Sequence, residues 1–168
     1  MRFRDSVQAR KGSVGEQLAR EWLEQHGFVV YAPLTDSAHA FDFLAVRTRD
    51  GLMYAIEVKT KARRNKFPDT GIDLRHYERY KRTETSGLQV VLMFADECQR
   101  ELYGGKLSVL DAPRAVPHNG ELLWYPRREG GIIYFPLAAM RVFAQIPDDR
   151  AEMMVSLSTR THPYLIAR

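Results

Sequence analysis

The chain has a single cysteine, Cys98, in 168 residues. A lone thiol excludes an internal disulfide and a cysteine-ligated zinc site, and it makes a cytoplasmic protein the default expectation. Long apolar runs are missing too. The longest clean one, VVLMFA at residues 90–95, is far short of the roughly 20 residues that a bilayer span requires, so no membrane partner is expected. The opening MRFRDSVQARKGS carries charge with no apolar stretch behind it, which predicts no secretory signal. Internal repeats and low-complexity tracts are absent, and His26, His118 and His162 lack the spacing of metal ligands. What is present is 45% hydrophobic and 27% charged residues, a composition that predicts one globular domain with a real core.

Positive charge is in excess in one half only. Residues 1–86 hold 16 Lys and Arg against 12 Asp and Glu, whereas residues 87–168 hold nine against nine. The net +4 therefore belongs to the first half and points to a polyanionic partner there.

Periodicity predicts the elements. In KGSVGEQLAREWLEQHGF, Val14, Leu18 and Trp22 recur every fourth residue, with Ser13 as an N-cap and Gly27 as a stop, so this is a helix. FVVYAPL reads as a buried strand limited by Pro33. Residues 41–61, FDFLAVRTRDGLMYAIEVKTK, read as two strands turning at Asp50-Gly51, a pair favoured in two-residue loops. Residues 61–71 form a basic loop, IDLRHYERYKRTETSG a second helix ended by Gly87, and LQVVLMFAD a further strand. The order helix, three strands, helix, strand predicts an α/β fold with a mixed central sheet. Beyond residue 100, KLSVLDA, ELLWYPR and GIIYFPL read as strands, and LAAMRVFAQI as a short helix behind Pro136. The tail from Pro147 is assigned no element; an arm on a partner subunit is one role for it. The expected organisation is a core of about residues 10–96 with a β-rich extension over 97–168, in a single domain.

The hairpin carries the chemistry. With a two-residue loop, Asp42 faces Lys59 and Leu44 faces Glu57, so Asp42, Glu57 and Lys59 share one face of the sheet. Phe43, Ala45, Ile56 and Val58 share the other, which reads as core. Asp42 and Glu57 are then diagonal neighbours with backbones about 7–8 Å apart, close enough for both side chains to hold one small cation. Without a cation two carboxylates at roughly 5 Å repel by about 3 kcal/mol at an effective dielectric near 20. Lys59 leaves a net charge of −1, which invites a divalent ion. Oxygen-only ligands favour Mg²⁺ or Mn²⁺ over zinc. A metal there would polarise a phosphodiester, and Lys59 would position water or stabilise charge developing on the phosphate.

Asp42 followed by Glu57-Val58-Lys59 on a hairpin, behind a helix bearing Glu16, resembles the PD-(D/E)xK nuclease superfamily. The run RKGSVGEQLAREWLEQHGFVV … FDFLAV … AIEVKTK is similar to the archaeal-type Holliday junction resolvases in particular, over roughly residues 10–95. The resemblance implies a restriction-endonuclease-like αβββαβ core and metal-dependent hydrolysis of DNA phosphodiesters, with branched or junction DNA a candidate substrate. It implies that Asp42, Glu57 and the Val58 carbonyl ligate the metal, that Lys59 is the catalytic lysine and that Glu16 completes the site. It also implies a homodimer, since two strands need two sites. The chain departs from the pattern at Phe41, where proline is common, and at Gln17, where junction resolvases tend to carry arginine. The Gln-x-x-x-Tyr pair of a related exonuclease group is matched only by His76 and Tyr80.

Other readings stay open. Ser13-Val14-Gly15-Glu16 fits a capping box, which would give Glu16 a purely local role. Lys61, Arg63, Arg64 and Lys66 follow Lys59 directly and, with Arg10 and Lys11, are candidate phosphate contacts; a solvated basic loop is the alternative. Tyr80 and Tyr77 read as groove-lining or core residues, and Lys81 lies on the same helix. Ser37 and His39, just before Asp42, are candidate contacts to the scissile strand. A catalytically inactive nucleic-acid-binding or assembly module, and a nuclease acting on RNA, are the competing functions.

Overall fold

The computed structural model describes residues 7–34 and 39–158. The first helix, α1 (Val7–Gln25), starts well before the expected cap. Ser13 lies inside it, and its hydroxyl donates back to the Ala9 carbonyl (3.0 Å) instead of capping. The capping-box reading of Glu16 goes with it. Gly27, at φ +78°, ends the helix as expected.

Strands β1 (Phe28–Tyr31), β2 (Phe43–Arg47) and β3 (Met53–Thr60) form an antiparallel meander. The strand β1 is not buried as expected: it is the sheet edge, with Val29 45% and Tyr31 57% exposed. A short strand β4 (Asp69–Asp73) occupies the end of what reads as a basic loop, and α2 (Leu74–Thr85) follows at once. Strand β5 (Gln89–Asp96) then lies parallel to β3, and β6 (Glu101–Lys106) returns antiparallel to β5.

The later elements correct several expectations. Residues 107–110 are not a strand but the single-turn helix α3 (Leu107–Leu110), which buries Leu107 and Leu110 at its two ends. Strands β7 (Arg114–His118) and β8 (Glu121–Tyr125) form a separate hairpin, and β9 (Arg127–Glu129) and β10 (Ile132–Pro136) follow. Behind Pro136 only Leu137–Ala139 turns helically; β11 (Arg141–Gln145) takes the rest. Within the tail from Pro147, α4 (Asp148–Ser156) packs on α1 of its own chain and buries Ala151 and Met154 there; residues 159–168 lie outside the described residues.

The main sheet runs β1-β2-β3-β5-β6-β11, with β4-β10-β9 as a second sheet. Two elements of the expected extension, β6 and β11, therefore complete the central sheet. Both faces are covered. Val14 and Leu23 of α1, with Met154, pack on Phe43, Tyr54, Ile56 and Met93. Tyr77 and Tyr80 of α2, with Ile133 and Phe135 of β10, pack on Leu92 and Phe94. Each such fully buried side chain contributes about 1.5–3 kcal/mol by leaving water.

Gly15 lets α1 approach the sheet. A Cβ there would lie 2.0 Å from the Thr60 hydroxyl and 3.2–3.3 Å from the Thr60 and Ala95 β-carbons. Gly15→Ala is expected to force the helix outward and to cost about 1–3 kcal/mol, read from the urea midpoint.

Candidate active site

The hairpin register differs from the expectation by two residues. The connection is Thr48–Gly51 rather than Asp50-Gly51 alone, with Arg47 N–H donating to Leu52 O (2.9 Å) and Gly51 N–H to Arg47 O (2.9 Å). Phe43 therefore pairs with Ile56, not with Val58. A slip of two residues, unlike a slip of one, leaves every side chain on its face. Phe43, Ala45, Ile56 and Val58 are all in the α1-side core, as the pattern requires. Continuing the register one step sets Asp42 opposite Glu57, closer than the diagonal placement.

Asp42 leaves the regular ladder there. Its N–H donates to Ile56 O (3.0 Å), although Phe43 is the register partner of Ile56. Its carboxylate accepts the Val58 N–H at 2.7 Å. Burial pushes the Asp42 carboxyl up to about 7, the Glu57 charge adds to the rise, the Val58 bond opposes it, Glu16 raises it further and Lys59 lowers it. Glu57, Glu16 and Lys59, all named by sequence, thus act on Asp42. Glu57 is 5% exposed in the middle of β3, and the Lys59 ammonium donates to its carboxylate at 2.5 Å.

Helix α2 covers this face. Tyr80 is fully buried, and its hydroxyl lies beside Glu57 without completing a well-formed hydrogen bond. Burial and then the Glu57 charge push the phenol above its ordinary range. Tyr80 is thus a floor beneath Glu57 and out of reach of a nucleic-acid strand, which corrects its reading as a DNA contact. One turn earlier, His76 is held below the usual imidazole range by burial, then by the Lys59 and Arg79 charges. Tyr77 instead donates to Asp111 (2.7 Å), and Lys81 pairs with Asp111 (3.0 Å).

The basic residues named by sequence divide sharply. Lys11 donates to the buried Glu97 and to Ser158 Oγ (2.9 Å). Arg63 donates to the fully buried Asp96 (2.8 Å) and to Glu101 (2.5 Å), with its guanidinium 4.5 Å over the Tyr103 ring. Arg64 lies 3.4 Å from the buried Asp69 and 3.3 Å from Glu129. Lys61 donates to Gly71 O (2.9 Å). These four hold the fold together and are not a free basic loop. Arg10 and Lys66 are exposed. His39 is half-buried, and Ser37 lies outside the described residues.

Sequence reasoning missed the arginines of the later strands, Arg114 and Arg128, which have no carboxylate partner among the described residues. Their clustering around an aromatic hairpin was the available signal. A cavity of about 420 Å³ lies against the opposite face of the sheet between Trp22, Phe28, Tyr54 and Phe143. It has no carboxylate in its lining and is separate from the acid cluster.

No helix among the described residues is long and apolar enough to cross a membrane. No family model and no curated protein sequence matches the chain. Among solved structures it is similar to Archaeoglobus fulgidus Hjc, a Holliday junction resolvase from an archaeal hyperthermophile, at a TM-score of 0.50 and 14% identity. The match covers 76% of this chain and 90% of that one. At that identity the likeness is one of fold, and it agrees with the mixed α/β, restriction-endonuclease-like architecture described above.

Proposed function

We propose that the protein is a metal-dependent nuclease that hydrolyses DNA phosphodiesters at Asp42, Glu57 and Lys59. The observation that carries the reading is the buried Asp42 carboxyl, raised to about 7 beside Glu57: the fold holds two mutually repelling acids at one spot where a cation would relieve both. The name of the structural neighbour, a Holliday junction resolvase, supports branched DNA as the substrate.

The donor set fits a small hard cation. Among the described residues no three of His, Cys, Asp and Glu cluster as metal ligands. Mg²⁺ or Mn²⁺ suits this, since Mg²⁺ is commonly held by one or two carboxylates and keeps its remaining positions for water and phosphate oxygens. Asp42 and Glu57, with the Val58 carbonyl as a third oxygen, would hold the ion, which would supply Lewis-acid polarisation of the scissile phosphate. Lys59 holds a positive charge against Glu57 and turns it to the charge that develops on the phosphate. Tyr80 and His76 wall the site from α2 and keep Glu57 in a low-dielectric setting. Glu16, brought in on α1, adds a further negative charge near Asp42.

The test uses four-way-branched, single-stranded and linear duplex DNA, and RNA of the same sequence, each with Mg²⁺, Mn²⁺ or EDTA. Cleavage is expected only with metal and on DNA, and Lys59→Ala is expected to lower the rate by roughly 100-fold or more while leaving the circular-dichroism spectrum intact. Cleavage that persists in EDTA or in Lys59→Ala would remove these residues from the mechanism.

A further inference from the structure

The cavity on the α1 face of the sheet serves no part of the acid cluster: β3 turns Tyr54 and Ile56 toward it and Glu57 the other way. At about 420 Å³ it falls within the roughly 300–1,000 Å³ of small-molecule sites. Its floor is the sheet itself. Val91 and Met93 of β5 lie beside Tyr54 and Ile56. Gly104 of β6, opposite both Met93 and Arg141 in the register, has no side chain to fill the space between them. Trp22 of α1 and Phe143 of β11 form a wall, with ring centroids 4.8 Å apart and Trp22 Nε1 donating to the Phe143 carbonyl (2.9 Å).

Charge at this cavity is of one sign. Arg47, Lys106 and Arg141 are in its lining and no carboxylate is. Arg47 is taken by Asp50, to which it donates twice (2.9 and 2.6 Å). Lys106 and Arg141 have no carboxylate within ion-pair distance among the described residues. The register sets these two side by side. Arg141 pairs with Gly104, and Lys106 is two residues further along β6 on the same face, so their backbones are diagonal neighbours about 7–8 Å apart. Rings of the lining fix where the charges lie. The Lys106 ammonium is 5.6 Å from the centre of the Tyr54 ring, and the Arg141 guanidinium is 4.9 Å from that of Phe143 and 5.9 Å from that of Trp22. Both residues are exposed, so the cavity meets water where they stand. Adjacent cations repel, and an anion between them relieves both.

The lining also selects the body of the ligand. Its ring faces are already engaged: His26 stacks on Trp22 at 4.2 Å, Arg47 and Lys106 lie over Tyr54, and Arg141 lies over Phe143. What remains is the alkyl and thioether surface of Leu23, Ile56, Val91, Met93 and Met140, which suits a chain better than a flat ring. We infer that this cavity binds a single-chain amphiphile, with an alkyl chain of medium length inside and an anionic head, carboxylate or phosphate, between Lys106 and Arg141. The site lies apart from the acid cluster, and the inference does not depend on the nuclease proposal.

Trp124→Phe in the full-length chain leaves Trp22, in the cavity wall, as the single tryptophan, and its emission reports occupancy. The probes are hexanoate, octanoate, octyl phosphate, octanol and octylammonium, with calorimetry for stoichiometry. One site per chain is expected, with affinity rising about fourfold for each methylene from hexanoate to octanoate. Octanoate or octyl phosphate is expected to bind about tenfold or more tighter than octanol, and octylammonium weakest; the tighter of the two anions identifies the head group. Lys106→Gln with Arg141→Gln is expected to remove the advantage of the anions while octanol binding stays. Val91→Trp, which puts an indole into the space, is expected to abolish binding. Equal affinities for octanoate, octanol and octylammonium, or no gain with chain length, overturn the inference, and so does an anion preference that survives the double glutamine variant. A dimer, seen by sedimentation, that the anions leave intact and Val91→Trp dissociates assigns the cavity to a second copy and overturns it as well.

Discussion

Asp42→Asn is expected to abolish metal-dependent cleavage and, in the same molecule, to raise the thermal midpoint of the metal-free protein at pH 8. The Asp42 carboxyl is raised from 3.8 to about 7 in the fold, first by burial and then by Glu57. Between those two pH values the folded chain keeps a proton that the unfolded chain has lost, so stability falls as pH rises through that window and levels off above about 7. Above it, the buried charge costs on the order of 2–4 kcal/mol. Asparagine removes the charge but keeps an oxygen to accept the Val58 N–H, so that hydrogen bond survives. A gain of about 2 kcal/mol corresponds to roughly 4–8 °C for a chain of this size. At pH 4 the variant and the parent should melt together, because Asp42 is then protonated in the folded protein. Mg²⁺ or Mn²⁺ should stabilise the parent at pH 8 and not the variant. Scanning calorimetry at the two pH values decides it: a variant that melts lower than the parent at pH 8 would show that the fold needs the Asp42 charge, which is the behaviour of a structural ion pair.

The acid cluster was legible from sequence because it depends on parity. Alternation along β3 places Glu57 and Lys59 on one face whatever the hairpin register, and an error of two residues in the loop left the faces intact. Short-range signals tied to glycine also held: Gly27 and Gly87 both have positive φ just after a helix. What could not be read was set by partners far away in the chain. Strand β4 has no alternation of its own and exists because β10, some sixty residues on, pairs with it. The segment at 107–110 has strand-like composition, yet its spacing of Leu107 and Leu110 buries both only as a helical turn. Ser13 has a capping side chain, but α1 continues through it because six further residues precede it in the helix. The basic loop misled for the same reason: nothing near Arg63 in sequence announces Asp96 or Glu101, and nothing near Lys11 announces Glu97.

That division of the basic residues makes the second large effect a loss of stability at a residue that sequence reading assigns to DNA. Arg63→Ala is expected to destabilise the protein by about 2–3 kcal/mol, lowering the midpoint by roughly 4–12 °C. Asp96 is fully buried at the end of β5, where its carboxylate accepts the Arg63 guanidinium and the backbone N–H groups of Arg63, Cys98 and Gln99. Alanine keeps the backbone donors but removes the only cation within ion-pair distance of Asp96 among the described residues, and a buried carboxylate without its counter-charge is costly. Glu101 loses the same partner, and the Tyr103 ring loses the guanidinium stacked over it. Lys66, exposed two residues beyond Arg64 and with no ion-pair partner among the described residues, provides the contrast. Lys66→Ala is expected to change stability by less than about 0.5 kcal/mol and to weaken DNA binding at low salt. Urea denaturation of the two variants beside their salt-dependent DNA affinities separates the roles. Equal stabilities would mean that Asp96 does not depend on Arg63, and that the loop after Lys59 is the free basic strip its sequence suggests.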